Sequence, residues 1–115
     1  FLLEVLEPLR HGRPASYRPF DCRTMTLGET VCVPPGPVVL IEGSYACHPA
    51  LWDCYDLRAF LTVSPEEQRA RILRRNGPEG LRTFEARWIP LEEAYFQAFQ
   101  IPERCHRTLE LIRNF

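Results

Sequence analysis

The sequence predicts an α/β domain of the doubly wound kind, with a parallel sheet covered by helices. Three observations point there. Val38-Val39-Leu40-Ile41 is a continuous apolar run of strand length, as required of a central parallel strand covered on both faces. Leu57 to Val63 is a second strand candidate. Ser64-Pro65-Glu66-Glu67 follows it at once, supplying an N-cap, a proline at the first helical position and acids at the positive helix end. Strand, short connection, strand and capped helix is the grammar of one such domain, and no internal repeat or low-complexity tract argues otherwise.

In chain order, Leu2, Leu3, Val5, Leu6 and Leu9 recur at helical spacing, while Pro8 lacks the amide a helix interior needs. Phe1 to about Glu7 therefore reads as the end of a helix begun upstream. Gly12 to Pro19 reads as a loop, Thr30 to Val33 as a short β-branched strand, and Pro34-Pro35-Gly36-Pro37 as a turn before the apolar run. A helix is expected from Pro65 to about Arg75, stopped by Asn76-Gly77-Pro78. Leu81, Phe84 and Trp88, then Leu91, Tyr95, Phe96 and Phe99, give two helices or one kinked at Pro90, with Trp52, Trp88, Tyr95 and Phe96 in the core. Cys105 to Phe115 fits neither the strand nor the helix period cleanly.

The chain has 115 residues and opens on Phe1 in what looks like mid-domain helix, so it reads as a fragment of a larger domain. With 14 basic and 15 acidic residues, nucleic acid is a poor first partner. No apolar stretch reaches membrane-spanning length and no signal-peptide pattern opens the chain, so a cytoplasmic protein without a membrane partner is expected. Five cysteines at irregular spacing, without C-x-x-C, suggest thiols and neither a disulfide framework nor a zinc knuckle. Cys47-His48, Cys54 and Cys105-His106 lack the short regular spacing of a soft-metal site.

Three stretches carry residues suited to chemistry. Glu42 ends the apolar run, and ligands of open α/β sheets bind beyond the carboxyl ends of strands. A carboxylate there can hold a magnesium-bound water, with Gly43 allowing close approach of a substrate; equally, Glu42 caps a helix and Gly43 turns the chain. Arg71 and Arg74 lie on one helix face at i, i+3 and suit a polyphosphate, although cations at a helix end also complement its dipole. Tyr17-Arg18-Pro19-Phe20-Asp21-Cys22 offers aromatic faces for a base and a carboxylate for ribose hydroxyls, or simply packs a proline-rich loop onto the core.

Together, Tyr17 to Cys22, Val39-Leu40-Ile41-Glu42-Gly43-Ser44-Tyr45, Tyr55 to Leu61, Arg71-Ile72-Leu73-Arg74-Arg75-Asn76-Gly77 and Trp88-Ile89-Pro90-Leu91-Glu92 resemble the uridine kinase family of P-loop kinases. The order covers the chain from about Val5 to Cys105. The resemblance implies a partial P-loop NTPase domain, three-layered around a parallel sheet, with a helical lid segment. It implies transfer of the γ-phosphoryl group of ATP, with Mg2+, to a nucleoside, uridine or cytidine first. It places Glu42 near the magnesium ion, Tyr17, Phe20, Asp21 and Tyr45 around the nucleoside, and Arg71 and Arg74 in the lid.

The chain departs from that pattern in three places. It contains no G-x-x-x-x-G-K followed by Ser or Thr, and that loop and the acidic base belong upstream of Phe1. Arg75-Asn76-Gly77-Pro78 stands where relatives carry an acidic residue and Arg-Gly-Arg, and Cys22-Arg23 stands where they carry a histidine. Alone, the chain is expected to be inactive. The alternatives are a kinase for another small hydroxyl substrate, an inactive nucleotide- or protein-binding kinase-like domain, and an interaction module using Trp88 to Phe99. A homo-oligomer is compatible with each.

Overall fold

A computed structural model describes residues 1–112 as a mixed α/β chain with three two-stranded sheets. It divides into two compact units, Phe1–Ala46 with Ala50–Cys54, and Cys47–Pro49 with the chain from Tyr55 onward.

In the first unit, π-helical turns at Leu2–Leu6 run into α1 (Glu7–Arg10). The helix continues past the expected stop near Glu7. Pro8 is tolerated because it falls in the first turn of the α segment, where an amide has little intrahelical use. Four short strands follow: β1 (Ala15–Tyr17), β2 (Phe20–Asp21), β3 (Thr26–Leu27) and β4 (Val31–Val33). β1 pairs antiparallel with β4, Ala15 opposite Val33 and Tyr17 opposite Val31, and β2 pairs antiparallel with β3. Val5, Leu6 and Ala15 are the buried residues of this small core, with the first helical turns packed on β1.

Two further expectations fail in this unit. Gly12 to Pro19 is not all loop, because Val31–Val33 supplies the hydrogen-bonding partner that turns Ala15–Tyr17 into a strand. Conversely, Val38–Ile41 forms no strand, and Val38 and Leu40 are 77% and 91% exposed. Apolar character makes a segment able to enter a sheet, but a strand exists only where a neighbour takes its amides and carbonyls. Among the described residues, no segment does so for Val38–Ile41.

In the second unit, β5 (Ala59–Thr62) pairs parallel with β6 (Arg107–Glu110), Ala59 opposite Arg107 and Thr62 opposite Glu110. The pairing resolves the ambiguous last segment as a strand over Arg107–Glu110; residues 113–115 lie outside the described residues. The helical crossover comprises α2 (Pro65–Thr83), π turns at Phe84–Trp88, α3 (Ile89–Phe99) and α4 (Ile101–Arg104).

α2 begins where the sequence places it. Ser64 is extended, and its Oγ accepts from the Glu67 amide at 3.2 Å. The expected stop is a break: Gly77 takes φ 71°, ψ 178°, after which Pro78 restarts the helix. No side chain favours that backbone conformation, which explains a glycine there. Pro90 falls in the first turn of α3, and Gln100, left-handed at φ 52°, ends it.

Ile72 and Ile101 are buried, and the same unit holds an aromatic cluster. Phe60 meets Phe96 edge-on at 5.0 Å, Tyr95 lies 5.4 Å from Phe99, and His48 lies 5.2 Å from Phe99. Trp88, expected in the core, is 40% exposed, with the Arg87 guanidinium 4.8 Å over its ring. No helix among the described residues is long and apolar enough to cross a membrane.

Candidate functional site

The sequence-predicted residues fall on both units. Tyr17, Phe20, Asp21, Glu42 and Tyr45 belong to the first, Arg71 and Arg74 to the second. Tyr17 is half-buried at the end of β1, held by its pairing with Val31. Phe20 is exposed on β2. Asp21 has local work: its Oδ1 accepts from the Arg23 amide at 2.8 Å and lies 3.8 Å from Arg23 Nε. That is the side-chain turn by which an aspartate organises the connection after it, here the one from β2 to β3. Met25 closes the same connection at φ 56°.

The mouth of this hairpin is fastened by the neighbouring residues. Arg18 Nε donates to the Gly28 carbonyl at 2.8 Å and Nη2 to the Leu27 carbonyl at 3.2 Å, while the Gly28 amide donates to the Pro19 carbonyl at 2.7 Å. Tyr17 and Phe20 therefore flank a fixed bend.

Glu42 is exposed just before a turn in which the Ala46 amide donates to the Gly43 carbonyl at 3.1 Å, and Tyr45 is exposed within that turn. Among the described residues, no group of three or more His, Cys, Asp or Glu side chains is arranged to hold a metal ion. Magnesium in phosphoryl-transfer sites keeps much of its water and takes one or two carboxylates plus phosphate oxygens. A single exposed carboxylate at Glu42 fits outer-sphere contact of that sort and not a cage made by protein alone.

In the second unit a cleft of about 360 Å³ opens at the carboxyl end of the parallel pair, lined by Ser64, Glu66, Glu67, Ala70, Glu110 and Leu111 among others. None of the predicted site residues lines it directly, but Arg71 is joined to it. Its Nε donates to Glu67 Oε1 at 2.7 Å, and Glu67 is part of the wall. Arg74, one turn on, is exposed. Arg75 donates to Asn76 at 2.8 Å and stands over the Phe84 ring at 5.7 Å. Arg69 pairs with Glu85. The Arg69 to Arg75 run is thus divided, with most guanidinium groups engaged along the helix.

One pair of groups is not marked in the sequence. Cys47 and Cys105 approach to 4.0 Å between sulfurs across 58 positions of chain. Burial first, and then the neighbouring Cys47, pushes the Cys105 thiol up to about 11, against a lowering pull from Arg58. Neither spacing nor flanking residues mark the pair. The parallel register of β5 and β6 contributes to its placement, since Cys105 lies two residues before β6. In comparisons with known proteins, no protein-family model and no curated protein matches this chain.

Proposed function

We propose that the chain is the acceptor-binding and lid part of an ATP-dependent nucleoside kinase, acting on uridine or cytidine in the cytoplasm, with its phosphate loop in an upstream segment. The observation that carries the reading is the crossover of the second unit. A strand leads through a Ser64-capped helix bearing Arg71 and Arg74 to a parallel strand, with a cleft at the carboxyl ends of both. Open α/β sheets take their ligands at that end.

In this reading Tyr17 and Phe20 hold the base, Asp21 and Tyr45 lie near the ribose, and Glu42 orients a water of the magnesium ion. When bound, ATP and Mg2+ supply the phosphoryl group and neutralise its charge. The transition state spreads charge over the peripheral oxygens, so cationic groups that arrive with lid closure stabilise it and exclude water. Arg74 is already exposed for that role, and Arg71 would exchange Glu67 for phosphate oxygens.

A second reading, an inactive nucleotide-binding domain, is favoured by the Arg71–Glu67 pair, which occupies the guanidinium along the helix. An ADP-release assay and calorimetric titration of the full-length protein, with uridine, cytidine and ATP, separate the two. ADP released only with nucleoside present supports the kinase. Nucleotide binding without release supports the second reading, and absence of both removes the two together.

A further inference from the structure

We propose that Cys47 and Cys105 are a reversible dithiol–disulfide pair that ties the segment before β5 to the junction between α4 and β6. The inference is independent of the kinase reading. The two sulfurs are in hydrogen-bond contact at 4.0 Å, and both residues are half-buried. A small disulfide can reach such positions, and rotation of the side chains has to close the remaining gap of roughly 2 Å to bond length. Cys105 stands at the end of α4 in extended conformation, immediately ahead of the strand pairing that anchors β6. The other thiols have different surroundings: Cys32 lies against Ser16 Oγ at 3.6 Å and Cys54 against Arg10 Nη1 at 3.8 Å, while Cys22 is exposed.

The chemistry is thiol–disulfide exchange with a low-molecular-weight disulfide as oxidant. The Cys47 thiol loses its proton to solvent, and its thiolate attacks one sulfur of glutathione disulfide. The S–S bond breaks and one glutathione leaves as thiolate. Cys105 then loses its proton, its thiolate attacks Cys47 Sγ, and the second glutathione leaves. Two protein thiols and one glutathione disulfide become one protein disulfide and two glutathione thiols, with two electrons passing to glutathione. Burial, ahead of the neighbouring Cys47, holds the proton on Cys105, which leaves Cys47 to attack first and Cys105 as the resolving thiol.

The test incubates the full chain in glutathione redox buffers, quenches with acid and maps the peptides by mass. The expected product is lighter by about 2 Da, joins the Cys47 and Cys105 peptides, and melts about 10 °C higher than the reduced chain. Cys105→Ser should stop at a stable glutathione adduct on Cys47, while Cys22→Ser should leave the link intact. The same oxidation in urea serves as reference, with the native chain forming this link at least about tenfold faster. A link through Cys22, Cys32 or Cys54, stable adducts on both Cys47 and Cys105, or equal rates in urea would overturn the proposal.

Discussion

Arg71 donates from Nε to Glu67 Oε1 at 2.7 Å, one turn back along α2, and the same Glu67 contributes its amide to the Ser64 cap. Helix start, cleft wall and Arg71 are therefore mechanically one piece. In the full-length protein, Arg71→Ala is expected to lower kcat of the proposed kinase by about tenfold or more, with loss of fold stability limited to about 0.5 kcal/mol. Kinetics and urea titration on the same preparation check this; unchanged kcat removes Arg71 from the site.

Ser64→Ala should destabilise the chain by about 1 kcal/mol, and Ser64→Asp should recover most of it, because either oxygen can accept from the Glu67 amide. Urea midpoints of the three proteins decide it. No loss in Ser64→Ala would mean that the cap contributes nothing.

At Gly77 a Cβ would meet nothing within 4 Å, so the cost of Gly77→Ala is one of backbone alone. With φ 71° and ψ 178° the residue sits where side chains are disfavoured, and a loss of about 1–3 kcal/mol is expected. Straightening of α2 is the competing outcome, visible as increased helical circular dichroism without loss of stability.

Ile101, 1% exposed, and Leu40, 91% exposed, make a contrasting pair. Ile101→Ala should cost about 2–5 kcal/mol, and Leu40→Asn less than about 0.5 kcal/mol in this chain. A large effect at Leu40 in thermal melts would show that the Val38–Ile41 run is packed after all.

The Cys105 thiol, raised from 9.0 to about 11, binds its proton more tightly folded than unfolded. Its contribution to stability is complete below pH 9 and declines as pH rises from 9 to about 11, since the unfolded chain sheds the proton first. Alkaline unfolding of the wild type and Cys105→Ser should diverge across that window. Parallel curves would mean that the thiol is not perturbed.

What the sequence disclosed was local. Ser64, Pro65 and the two glutamates mark a helix start through interactions spanning three residues, and Gly77 with Pro78 marks a break by backbone preference; both are found in place. Strand identity needs a partner, so nothing local marks β1, the apolar Val38–Ile41 run reads as a strand that it does not form, and β6 is ambiguous until β5 lies beside it. At the candidate site, residue types were legible and engagements were not. Nothing in Asp21 announces that it organises a turn, or in Arg71 that Glu67 holds it. The Cys47–Cys105 approach, spanning 58 positions, leaves no local trace at all.

Arg18 holds the carbonyls of Leu27, at the end of β3, and of Gly28 just after it, while Pro19, which has no amide to exchange, takes the Gly28 amide. The β2–β3 hairpin is thus latched at its open end by a side chain, and its strand pairing is only two residues long. Amide hydrogen exchange should accordingly treat the segment from Phe20 to Gly28 as one unit, released by loss of the Arg18 latch.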